Sequence, residues 1–92
     1  MSETLEQLHS SIVYANLSGF IRSEMVEHWR EGCWRFLSFD ARYEGLKATA
    51  VFAVPIGDEP HRIRVALVDE TDGTVLLAKD ASQIQPRILP VA

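Results

Sequence analysis

The sequence predicts an α+β fold, with one or two N-terminal helices packed on a four-stranded antiparallel meander sheet and an extended, proline-containing C-terminal arm. Three observations carry this. Apolar residues recur at helical spacing as far as Gly32. From Cys33 the period changes to two. The period-two segments are then punctuated by "EG", "GDEP" and "DETDG", which are turn signals.

The elements follow in order. Thr4 with Gln7 three residues later fits a capping box, and Glu3 and Glu6 lie near the positive helix end. Leu5, Leu8 and Ile12 then recur at helical spacing, and Ser18-Gly19 interrupts the pattern. Ile21, Met25 and Trp29, spaced i, i+4, i+8, predict a second helix with Trp29 in the core. Glu24, Glu27 and Glu31 lie towards its other side, and Gly32 is placed to end it in a left-handed turn.

From Cys33 the alternation sets Cys33, Leu37, Phe39, Ala41 and Tyr43 on one face and Trp34, Phe36, Ser38, Asp40 and Arg42 on the other. Arg35 interrupts the apolar face, which places it at a rim or at a bulge. Glu44-Gly45 reads as a tight hairpin turn, because glycine accepts positive φ. In the next strand Ala48, Ala50, Phe52, Val54 and Ile56 share a face. Ile63, Val65 and Leu67 alternate with Arg62, Arg64 and Ala66, and "TVLLAKD" completes the sheet. The tail contains Pro86 and Pro90, which exclude a helix and disfavour a central strand.

A chain of 92 residues is the size of one domain. The expected division is 1–32 helical, 33–80 sheet and 81–92 tail. The composition is 47% hydrophobic and 24% charged, which is that of an ordinary globular protein. The one cysteine cannot form an intramolecular disulfide. The N-terminal stretch lacks a basic segment followed by an apolar one, so no signal peptide is expected. The apolar runs fall short of the ~20 residues that span a bilayer. The expectation is a cytoplasmic protein with no membrane contact.

The net charge is −4. Residues 1–32 contribute −3 and residues 33–92 contribute −1. Such a balance lacks the electrostatic footprint of a nonspecific nucleic-acid binder, so nucleic acid is not the expected direct partner.

The chemical motifs point away from catalysis. His28 and Cys33 lack the paired short spacings of a metal site, and no cofactor is expected. A thiol following a helix C-terminus faces the wrong end of the dipole for activation, so Cys33 is expected to be buried and inert. Asp58, Glu59, Asp69, Glu70 and Asp72 fall in turns, where carboxylates serve the backbone. Neither glycine-rich phosphate-binding pattern is present.

The remaining candidates are surfaces. Trp34 and Phe36, with Arg35, are residue types that dominate protein interfaces. Their face needs a cover: the tail residues Ile84, Ile88, Leu89 and Val91, a second subunit or a partner. The expected function is therefore a small intracellular protein-binding module (an accessory subunit, inhibitor or chaperone-like protein) without catalysis, with a homodimer as one form. A second reading makes it an acidic inhibitor of a nucleic-acid-processing complex that uses the Glu24/Glu27/Glu31 helix face. A third makes it a nucleic-acid or anionic-ligand binder that uses Lys47, Arg62 and Arg64 on the outer sheet face.

Overall fold

A computed structural model of the chain describes residues 2–56 and 63–80. Two short helices, α1 (Ser2–His9) and α2 (Ile12–Leu17), lead through a 3₁₀ turn (Ser18–Phe20) into β1 (Ile21–Glu31), β2 (Trp34–Tyr43), β3 (Leu46–Pro55), β4 (Arg64–Asp69) and β5 (Val75–Asp80). The strands form one antiparallel sheet in the order β1-β2-β3-β4-β5. The α+β class and the meander are as expected. The sheet has five strands where four were expected. The proline-containing arm, 81–92, and the acidic turn residues Asp58 and Glu59 lie outside the described residues.

The helical part stops at residue 20. Thr4 sits inside α1, which begins at Ser2. Ser11 separates α1 from α2. Its hydroxyl accepts a hydrogen bond from the Tyr14 amide at 3.0 Å and donates one to the Leu8 carbonyl at 2.6 Å. One buried side chain thus ends the first helix and caps the second.

The largest correction concerns residues 21–31, which form the edge strand β1 and not a second helix. Ile21 and Met25 share a face at a spacing of four in either structure, so their periodicity does not distinguish the two. Long-range pairing decides it: from Glu27 to Glu31, β1 runs in continuous register against Ser38 to Trp34. Gly32 does take positive φ, at +60°, but as the first residue of a two-residue turn between Glu31 and Trp34. Glycine in that position followed by negative φ is the type II′ pattern, which matches strand twist. Cys33 is the second turn residue and is exposed, contrary to the buried thiol expected. No helix end lies beside it.

The other turns form as their residues dictate. Glu44 (φ 52°) and Gly45 (φ 83°) are both left-handed between the paired Tyr43 and Leu46, a type I′ turn. Between β4 and β5 the Asp69 and Asp72 carboxylates accept from the Thr71 and Thr74 amides, and Gly73 (φ 77°) closes the loop.

One face of the sheet packs against the helices. Leu37, Phe39 and Ala41 of β2, Ala48, Ala50, Phe52 and Val54 of β3, and Val65 and Leu67 of β4 are buried with Leu8, Val13 and Leu17. Tyr14 of α2 bridges the layers, its ring centroid 5.5 Å from that of Phe52 and 5.9 Å from that of Phe39. Among the described residues, no helix is long and apolar enough to cross a membrane.

Candidate functional site

The register fixes which residues share the opposite, outer face. Trp29 of β1 is paired with Phe36 of β2, Phe36 with Ala53 of β3, and Ala53 with Arg64 of β4. This row crosses the sheet at the end that holds the Gly32-Cys33 turn. One pleat repeat further in lies the row Glu27, Ser38, Val51, Ala66, Ala78.

The side chains of these rows make a shaped surface. Trp29 and Phe36 stack, with centroids 5.3 Å apart and planes 13° from parallel. The Trp29 indole N–H donates to the Glu31 carboxylate at 3.1 Å. The Arg64 guanidinium carbon lies 5.4 Å from the centre of the Trp34 ring, within cation–π range. Beside them Ala53, Ala66 and Ala78 keep the floor low. The result is a groove of about 360 Å³ lined by Phe36, Val51, Val65, the three alanines, Arg64 and Lys79. Its character is apolar and aromatic, with two cationic residues, Arg64 and Lys79, in the lining.

The antiparallel sheet is thus apolar on both faces along its centre, whereas a solvated outer face usually alternates to polar residues. Val51, Ala53, Ala66 and Val68 are half-buried.

The structure brings some of the candidates together and separates others. Trp34 and Phe36 share the outer face as expected. Arg35 lies on the helix-facing side, directly opposite Arg30 in the register. Glu24, Glu27 and Glu31 do not form a helix face. Glu27 and Glu31 lie on the outer side of β1 with Trp29, while Glu24 falls within the register shift between Ile21 and Met25. It borders a separate cleft of about 500 Å³ that includes Leu5, His9, Tyr14 and Met25, between the helices and the sheet edge.

Lys47 and Arg64 share a face but lie at opposite ends of it. Six residues of β3 separate Lys47 from Ala53, the partner of Arg64, or roughly 20 Å at ~3.3 Å per residue. Thr49 and Val51 intervene on that face. Lys47 instead shares a small cleft with Arg22, Asp40, Arg42 and Glu70. Arg62 lies outside the described residues.

Trp29 and the alanine floor escaped the sequence reading. Trp29 was assigned to the core, yet it is 37% exposed. A register shift between Met25 and Glu27 moves it to the face opposite Met25. The alanines were legible in part, since Ala53, Ala66 and Ala78 each alternate with large apolar residues of the core face. Among the described residues no group of three His, Cys, Asp or Glu side chains is placed to hold a metal ion. The chain matches no family model, no curated protein and no solved structure.

Proposed function

We propose that the protein is a small protein-binding module, an accessory subunit, inhibitor or chaperone-like protein without catalytic chemistry, and that it binds through the outer face of its sheet. The observation that carries this reading is the groove beside the Trp29–Phe36 stack and the Trp34–Arg64 pair. Aromatic residues and arginine are the types on which binding energy concentrates. Here they are held by strands of a regular sheet, so little conformational entropy is lost on docking. The groove floor is backbone and methyl groups, which admit close approach of an extended segment or a helix.

The glutamates modify this reading. Glu27 and Glu31 rim the aromatic end of the face, and Arg64 marks its other side. A partner with charges of both signs, arranged to match, is favoured over a uniformly basic or acidic one. The separation of Lys47 from Arg64 gives little support to an extended basic surface for nucleic acid.

The test is comparative capture. Proteins retained by the tagged wild-type chain are compared with those retained by the Trp34→Ala/Phe36→Ala double variant, after circular dichroism has shown that both are folded. The reading expects a discrete partner that the variant loses. Retention of the same partner by both chains would contradict it.

A further inference from the structure

We infer that the open edge of β1, over residues 27–31, takes up an extended segment of another protein as an added antiparallel strand, and that it selects a segment with basic residues on either side of an apolar one. This surface is main chain at the sheet edge. It goes beyond the groove reading and does not depend on it.

The backbone makes the first argument. Among the described residues, only β2 pairs with β1. Over the first half of β1 the register shifts twice, between Ile21 and Met25 and between Met25 and Glu27. Such irregularities blunt an edge. From Glu27 to Glu31 the register is continuous. That stretch offers roughly 17 Å of regular edge at ~3.4 Å per residue.

The turn decides which groups point outwards. Glu31 and Trp34 flank the two-residue Gly32-Cys33 turn, and the residues that flank such a turn form a hydrogen-bonded pair. Bonded and non-bonded pairs alternate along an antiparallel ladder. Trp29 and Glu27 therefore also bond inwards to β2, while the amides and carbonyls of Arg30 and His28 are turned to the open edge. An added strand matches those groups. Its main chain supplies affinity, and its alternate side chains supply selectivity.

Charge makes the second argument. Glu27, Trp29 and Glu31 line the outer side of this edge, His28 and Arg30 the other, and all five are exposed. The Trp29 indole N–H donates to the Glu31 carboxylate at 3.1 Å, which sets ring and acid side by side. Across the ladder Arg30 faces Arg35, so an acid on its open side is favoured. The complementary strand carries Lys or Arg opposite Glu27 and Glu31, an apolar residue opposite Trp29 and an acid opposite Arg30.

A second copy of the chain does not meet that pattern. Antiparallel self-pairing centred on Trp29 sets Glu27 against Glu31 twice. Centred on His28 it sets Glu27 against Trp29, and centred on Arg30 it sets two arginines together. Charges on an edge discourage pairing with like strands. The same charges admit a strand of the opposite pattern.

The probe is a terminally blocked peptide, "TKEFTKT", titrated into the isotope-labelled full chain and followed by NMR. In antiparallel register its lysines lie opposite Glu31 and Glu27, its phenylalanine opposite Trp29 and its glutamate opposite Arg30. Without peptide, the His28 and Arg30 amides should exchange with solvent faster than the Trp29 amide. Saturating peptide should slow both by roughly ten-fold or more. N-methylation of the third and fifth peptide amides, which face Arg30 and His28, should abolish binding to the unaltered chain. The Glu27→Lys/Glu31→Lys chain should bind the peptide roughly ten-fold more weakly and prefer "TEEFTET", in which both lysines are replaced.

The absence of saturable binding, equal binding of the N-methylated peptide, or a charge swap that does not follow the peptide would overturn the inference. So would His28 and Arg30 amides as protected as that of Trp29 in the peptide-free chain. Protection that rises with chain concentration would also overturn it, by giving the edge to a second copy. The titration leaves Trp34 and the groove floor unchanged, so its outcome is separate from that of partner capture.

Discussion

The two faces of this sheet are drawn from alternate residues of the same strands, and both use small residues beside aromatic ones. On the helix side Ala41, Ala48 and Ala50 lie among Phe39, Phe52 and Tyr14, and Leu8, Val13 and Leu17 fill the space above them. On the outer side Ala53, Ala66 and Ala78 lie beside Phe36, and the space above them is a groove. The same device that seats a helix on one face leaves a seat on the other. Burial of the first face stabilises the fold. The second face is the apolar area that the proposed partner would cover.

The largest expected effect separates the faces by stability. Phe52 is fully buried, and Phe52→Ala should destabilise the domain by about 3–5 kcal/mol in urea unfolding. Phe36→Ala removes a ring of the same size from the outer face and should cost about 1 kcal/mol or less, mainly the stacking with Trp29. Equal losses at the two positions would break the comparison. Next in size is Ser11→Ala, which removes a cap and a buried hydrogen bond on the helix side. About 1–2 kcal/mol should be lost, with α1 and α2 gaining amide exchange ahead of the sheet.

Two smaller effects sharpen the outer face and its turns. A double-mutant cycle with Trp34→Phe and Arg64→Met should yield a coupling of about 0.5–1 kcal/mol that favours the native pair. Zero coupling would mean that the guanidinium does not rest on the ring. Glu44 holds a left-handed conformation that glycine and asparagine accept more readily. Glu44→Gly or Glu44→Asn should therefore leave stability unchanged or raise it by about 0.4–1 kcal/mol.

The smallest effect is at the β4–β5 turn. The backbone amide of Thr74, and then its hydroxyl, hold the Asp72 carboxyl below its usual range. A depressed folded-state value means that the ionised carboxylate favours the folded state. Its contribution is present above the unfolded value near ~4 and is lost as pH falls through the lower folded value. Asp72→Asn should therefore be destabilising at neutral pH, and the difference from wild type should vanish in acid. A difference that grows in acid would contradict the hydrogen-bond assignment.

The legible and illegible parts of the fold divide on physical grounds. Leu37, Phe39, Ala41, Ala48, Ala50, Phe52, Val54, Ile63, Val65 and Leu67 alternate cleanly, and every one is buried. The turns at Glu44-Gly45 and Asp69–Gly73 were readable because few residues tolerate positive φ. β1 was not readable. A spacing of four is even, so Ile21 and Met25 share a face in a strand as they do in a helix. Gly32 at positive φ serves a helix C-terminus and a type II′ turn equally well. The residue that would have separated the two, Trp29, sits beyond a register shift and points to the other face. The candidate site followed the same pattern. Trp34 and Phe36 could be read from β2 alone, but their partner Trp29 depended on a bulge that no local pattern marks. The separation of Arg35 from Trp34 was implicit in the alternation, and the pairing of Arg30 with Arg35 emerged only with the strand.

The central claim is that the outer face is where this protein meets a partner, and site-specific photo-crosslinking tests it most directly. A benzophenone side chain at Ala66, on the groove floor, is compared with one at Thr71, in the β4–β5 turn, each in the full chain expressed in its host. The account predicts one discrete protein adduct from position 66, none from position 71, and loss of the adduct when Trp34 is also changed to Ala. Adducts of equal yield at both positions, or an adduct at position 66 that survives Trp34→Ala undiminished, would contradict it.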